Sequence, residues 1–107
     1  MIRDLYAKLP KECPEYLDWV RAQPSAVSGL VGCVAHHRIG GRLSQRKTSD
    51  FEAMPLTDAE HRQLHAGMEA FVAAYGRTES DMVKATLLEA IRQGVLTFDK
   101  RAAREQS

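Results

Sequence analysis

Cysteine is scarce in this 107-residue chain, which contains only Cys13 and Cys33. Two cysteines are too few for the disulfide framework of a small secreted protein, and in a reducing compartment we expect both to be free thiols. Neither cysteine belongs to a Cys-x-x-Cys pair. The sequence therefore offers no cysteine-based zinc site.

Long apolar runs are also missing, and no stretch approaches the roughly 18 residues that a membrane span requires. The first residues carry charges where a signal peptide needs a continuous apolar segment. We therefore expect a cytoplasmic protein without a membrane partner. A strong charge of one sign is absent too, since the net charge is only +1. Any surface for nucleic acid must come from local clusters of Lys and Arg.

The hydrophobic content of 44% and the charged content of 27% are ordinary for a globular protein. The length fits a single domain spanning 1–107, with a motif core at about 33–67 and a C-terminal helix at about 78–93. A chain this short buries a modest share of its surface, so a bound metal or a dimer contact would help its stability.

Prolines and apolar spacing predict the first elements. A helix is expected to begin at Pro14, which suits the first helical position, and to stop by Pro24. Residues 33–37 and 51–56 are expected to be short extended segments. Pro55 indicates that the second of these is an edge strand or ends there.

Polar capping residues and glycines predict the helices that follow. Thr57-Asp58-Ala59-Glu60 matches the capping box and predicts a helix that carries the next two histidines. Gly67 is expected to interrupt this helix, and Gly76 to end the next one. The last helix is expected to be amphipathic, with a stripe in the core or at a dimer face: Met82, Val83, Leu87, Leu88 and Ile91.

The four histidines form one adjacent pair, His36-His37, and one i, i+4 pair, His61 and His65. Residues four apart lie on one face of a helix, so His61 and His65 can point at one ion. Adjacent strand residues point to opposite sides, so His36 can ligate while His37 faces a substrate and accepts a proton from water. Such pairs also arise by chance on helices, and their combination within one short segment is what favours a metal site.

This arrangement, a His-His pair, a loop ending at Asp50 and two helical histidines, resembles the ββα-metal or HNH endonuclease motif. The sequence from residue 16 to 76 is similar to phage and prophage HNH proteins related to the RecA-dependent nuclease Ref. The resemblance implies an α+β fold, mostly helical, built round a ββα-metal hairpin. It implies that His36, His61 and His65 bind one divalent ion (Mg²⁺, Mn²⁺, Ni²⁺ or Zn²⁺) and that His37 is the general base. It also implies that the protein cuts DNA in recombination or repair, with a RecA-like recombinase as a partner.

Two departures from the family pattern stand out. The middle position, usually Asn, is Asp50, which can accept a hydrogen bond from His37 and hold its tautomer. The structural zinc of many family members has no ligands here, because the corresponding positions are polar residues without a thiol: Ser25, Ser28, Thr57 and Glu60. We expect no structural zinc, and either hydrogen bonds have replaced it or this segment never held such a site.

The loop after the His-His pair carries positive charges and no acidic residue up to position 47. Arg38, Arg42, Arg46 and Lys47 are therefore candidate contacts to the DNA backbone, although a solvated loop would have the same composition. Two other classes remain open. One is a non-catalytic DNA-binding module that keeps the metal as a staple, and the other is a structural phage protein with unrelated histidines.

Overall fold

Two short antiparallel strands and the helix that follows them form the centre of the fold. The computed structural model describes residues 12–39 and 48–97. In these ranges the elements are α1 (Pro14–Arg21), β1 (Cys33–His37), a 3₁₀ turn (Asp50–Glu52), β2 (Ala53–Thr57), α2 (Asp58–Ala66), α3 (Met68–Tyr75) and α4 (Glu79–Arg92). The α+β class, with a small ββα unit and flanking helices, is as predicted.

The hairpin register brings the two ends of the motif together. Cys33 pairs with Thr57 and His37 pairs with Ala53, so β1 and β2 are fully matched. Pro55 stands inside β2 opposite Ala35, and each strand has a single partner among the described residues. This is the edge position that a proline in a strand requires.

The helix boundaries follow the capping residues in the sequence. Both predicted helix starts have a complete capping box, in which Thr57 and Glu60 bond reciprocally, and so do Thr78 and Asp81. Gly76 ends α3 in the left-handed conformation, with φ of 70°, where a glycine has no Cβ penalty.

Two adjoining clusters make the core. The larger lies between the hairpin and helices α2, α3 and α4: Met54, Leu56, Leu64, Phe71, Met82 and Val83. The smaller joins α1 to α4 through Tyr16, Val20 and Ala90. Trp19 packs against this second cluster and stacks on Tyr16 at a ring distance of 5.5 Å, so it has a structural place in the fold.

Two details of the sequence prediction are wrong. Phe51 lies in the 3₁₀ turn rather than in an extended segment, because the Ser49 hydroxyl accepts its backbone N–H and caps the turn. Leu88 and Ile91 are 56% and 55% exposed, so the buried face of α4 is narrower than the apolar stripe. None of the helices in the described ranges has the length and apolarity needed to cross a membrane.

Candidate metal centre

Three histidines from two adjacent elements meet at the surface of the ββα unit. His36 is the fourth residue of β1, and His61 and His65 lie one turn apart on α2. The hairpin turns the chain directly from β2 into α2, so the helix face that carries both residues lies against β1. The predicted convergence of these three rings is present in the structure.

The distances suit a shared ion. The ring centroids of His36 lie 5.0 Å from His61 and 5.2 Å from His65, and the two helical rings are 4.6 Å apart. One ring nitrogen from each residue lies within 4.8 Å of the others, and the Nε2 atoms of His61 and His65 are separated by 3.1 Å. Tetrahedral ligands 2.0–2.1 Å from a zinc ion would be roughly 3.3 Å apart, so the two helical nitrogens are spaced for a shared ion and the third ring is close enough to join them.

Exposure increases across the three rings. His36 is buried, His61 is partly buried and His65 is exposed. Burial lowers the pKa of His36 against the opposing effect of the Glu79 carboxylate, and burial together with the nearby His65 lowers the pKa of His61. A lowered pKa favours the neutral ring, which is the form that binds metal. The His65 side of the cluster is open to solvent.

Glu79, at the first position of α4, is a site residue that the sequence did not reveal. Nε2 of His36 donates to its Oε2 at 2.8 Å, and both side chains are buried. The same oxygen accepts the backbone N–H of Ile39 at 2.9 Å. In the sequence Glu79 stands out only as an acidic residue in the first turn of a helix.

His37 lies beside the centre and bonds a different carboxylate. Its Nε2 donates to Oδ1 of Asp50 at 2.7 Å, and the Asp50 side chain is only 3% exposed. The second oxygen of Asp50 accepts the backbone N–H of Cys13 at 2.7 Å. The hydrogen bond expected between residues 37 and 50 is thus present, and Asp50 is fixed from both sides.

Comparison with known proteins gives a family but no activity. Residues 5–94 match the family described as "Protein of unknown function (DUF968)". The chain belongs to the DUF968 family. Searches of curated proteins and of solved structures found no match.

Of the four residues predicted to contact DNA, the structure describes only Arg38. Arg38 follows His37 directly, and its guanidinium lies 3.5 Å from the Glu52 carboxylate. Its backbone is held as well, since its N–H donates to the Glu52 carbonyl and its own carbonyl accepts from Thr48. Arg42, Arg46 and Lys47 lie outside the described residues.

Ser25, Ser28, Thr57 and Glu60, at which no structural zinc is expected, form one hydrogen-bonded cluster in this DUF968 chain. The Ser25 hydroxyl donates to Oε1 of Glu60, which also accepts the backbone N–H of Thr57. Ser25 in turn accepts the backbone N–H groups of Val27 and Ser28. Within residues 12–39 and 48–97, the three histidines are the only group of three or more His, Cys, Asp or Glu residues close enough together to hold one ion.

Proposed function

We propose that this DUF968 protein is a metal-dependent DNA endonuclease of the HNH type. The proposal is carried by one observation, the convergence of His36, His61 and His65 beside the hydrogen-bonded pair of His37 and Asp50. A role in phage recombination or repair, and a RecA-like partner, are parts of the proposal that rest on the resemblance alone.

The proposal is supported by the three imidazoles, a ligand set that metal-dependent hydrolysis can use. Three neutral imidazoles would hold the ion and leave further coordination positions open on the exposed side. A divalent ion bound there would stabilise the charge that develops on the phosphate and on the leaving 3′ oxygen. The proposal leaves open which of Mg²⁺, Mn²⁺, Ni²⁺ and Zn²⁺ the site uses.

His37 has the orientation of a general base. Because Asp50 accepts the proton on Nε2, the favoured tautomer leaves a lone pair on Nδ1, which can take a proton from water. His37 is 18% exposed, so water can reach it. One side chain of the His-His pair thus serves the ion while the other serves the nucleophile.

Plasmid nicking tests the proposal, with each of the four metals added to protein first stripped with EDTA. We expect cutting with at least one metal and none in EDTA. His37→Ala should lower the rate by about 10²–10⁴-fold, the usual contribution of a general base, while Zn²⁺ binding measured by calorimetry survives. His65→Ala should weaken both DNA cutting and Zn²⁺ binding.

Gln63→Ala is the matched control, because Gln63 is an exposed residue on the same helix and has no place in the site. It should cut at the parent rate. A parent protein that binds Zn²⁺ and DNA without cutting under any metal would instead be a metal-stapled binding module, and the nuclease proposal would be wrong. A protein that binds no ion would exclude both.

A further inference from the structure

The buried carboxylate of Glu79 contacts the metal centre without being one of its candidate ligands. It reaches His36 from α4, 43 residues along the chain, and is only 5% exposed. An ionised carboxylate in such surroundings is costly unless its hydrogen bonds compensate for lost water. Its bonds to the His36 ring and to the Ile39 backbone do so.

We infer that Glu79 is the positioning residue of the metal centre, holding the His36 ring so that Nδ1 is the atom presented to the ion. This inference rests on the three-histidine metal site of the proposed function, but not on DNA cleavage. Because Nε2 of His36 carries the proton donated to Glu79, the free lone pair must be on Nδ1.

Such an outer carboxylate affects a ligand in two ways. It fixes the tautomer and ring orientation, and its negative charge makes the imidazole a stronger donor to the metal. His36 needs this control more than His61 or His65, because it is the only buried ring of the three. Burial alone would not choose between its two nitrogens.

Glu79 also secures the backbone that carries the general base. Its Oε2 accepts from Ile39, two residues after His37. The same atom therefore connects the start of α4 to both the metal ligand and the end of β1. A carboxylate at the N-terminus of a helix also stabilises the helix by interacting with its dipole. The experiment must therefore separate a role at the metal centre from a purely structural one.

The test compares Glu79→Gln and Glu79→Ala with the parent chain, using Zn²⁺ calorimetry and the ¹⁵N shifts of the histidine rings. Glu79→Gln keeps an acceptor oxygen and loses the charge, so we expect Zn²⁺ affinity to fall by about tenfold with the His36 tautomer retained. Glu79→Ala loses the acceptor, so affinity should fall by about 100-fold, the upper end for such partners, and the ring should become a mixture of tautomers.

Asp81→Ala is the control, because Asp81 caps the same helix start by accepting the Thr78 backbone N–H. It should lower stability without changing Zn²⁺ affinity or the His36 tautomer. If Glu79→Ala does not fold, Glu79→Gln decides alone. Parent-like affinity in Glu79→Gln, or an equal loss in Asp81→Ala, would overturn the inference, as would a parent chain that binds no Zn²⁺. A chain that shows the expected pattern but cuts no DNA would leave the inference standing and refute only the nuclease.

Discussion

The hydroxyl of Ser25 lies 2.5 Å from Oε1 of Glu60, although 35 residues separate them. This bond joins the loop before β1 to the first turn of α2, and both side chains are buried. Thr57 belongs to the same cluster, since it exchanges hydrogen bonds with Glu60 as the cap of α2. By the resemblance to HNH proteins, these are positions at which many of those proteins would hold a structural zinc.

Glu60 therefore contributes to stability in a pH-dependent way. Burial alone would raise its pKa, but hydrogen bonds from Ser25, Ser28 and Thr57 outweigh burial and hold the pKa below the ordinary value of 4.5. A depressed carboxyl pKa stabilises the fold above the unfolded value, and this contribution is lost as the pH falls through the folded value.

Glu60→Gln should accordingly destabilise the protein by about 1–3 kcal/mol near neutral pH, the cost of disturbing a buried charged acceptor. The difference from the parent should shrink as the pH falls below 4.5. Urea unfolding at a series of pH values measures both effects. Glu69→Gln, an exposed change on α3, should show neither, and a pH-independent difference for Glu60→Gln would contradict the argument.

Introducing cysteines into this cluster should create a zinc site. Ser25 and Ser28, and likewise Thr57 and Glu60, have the Cys-x-x-Cys spacing of a tetrahedral knuckle. With all four replaced by Cys and kept reduced, we expect one more Zn²⁺ per chain than the parent binds. Co²⁺ should give a thiolate charge-transfer band.

The matched control carries only Ser25→Cys and Ser28→Cys, which supply two thiolates from one loop. It should bind the additional metal far more weakly, because the other half of the tetrahedron is missing. Unchanged stoichiometry in the fourfold variant would show that the two pairs are not arranged as a knuckle.

Local patterns explain which parts of this fold the sequence could predict. The capping boxes at Thr57 and Thr78 define helix starts through contacts three residues apart. The i, i+4 spacing of His61 and His65 places both rings on one face once that helix exists. The hairpin is formed by the two short strands that precede this helix, and its first strand carries His36. The histidine cluster could therefore be predicted as well.

Contacts between distant elements could not be predicted in this way. The pairing of His36 with Glu79 depends on how α4 packs against the hairpin, which no spacing in the sequence encodes. The same packing decides that Met82 and Ala90 face the core while Leu88 and Ile91 remain exposed. An apolar stripe predicts an amphipathic helix, but not which part of a broad stripe is covered.

Asp50 stands at the position where the resembled HNH motif has Asn, and both of its carboxylate oxygens accept a hydrogen bond. Oδ1 accepts from His37 and Oδ2 accepts the backbone N–H of Cys13, so both oxygens are needed as acceptors. Asp50→Asn should keep the His37 bond but present an amide N–H to Cys13. We expect a loss of about 1–2 kcal/mol in stability and cleavage within about tenfold of the parent, since His37 remains oriented.

Asp50→Ala should remove both contacts and lower cleavage by about 100-fold or more, within the range expected for general base catalysis. Nicking assays and urea unfolding measure the two effects separately. Asp18→Asn, at an exposed residue of α1 paired with Arg21, should leave both unchanged. Full activity in Asp50→Ala would show that His37 needs no orienting partner, or is not the base.

The hydroxyl of Tyr16 has no hydrogen-bond partner among the described residues, although the side chain is only 2% exposed. Burial, followed by the nearby Cys13, raises its pKa to about 12, as expected for a phenol removed from water. An unsatisfied buried polar group costs about 1–3 kcal/mol. Tyr16→Phe removes the group and keeps the ring contacts with Trp19 and Phe51, so it should stabilise the fold by about 1 kcal/mol.

Tyr75→Phe is the opposite case, because the Tyr75 hydroxyl donates to Oε1 of Gln63 at 2.7 Å. It should lower stability slightly, by less than about 1 kcal/mol, since the lost bond is exposed to water. The midpoints of urea unfolding, at an unchanged slope, compare the two variants directly. A fall in the midpoint for Tyr16→Phe would mean that the hydroxyl is bonded in solution and that the smaller core cluster depends on it.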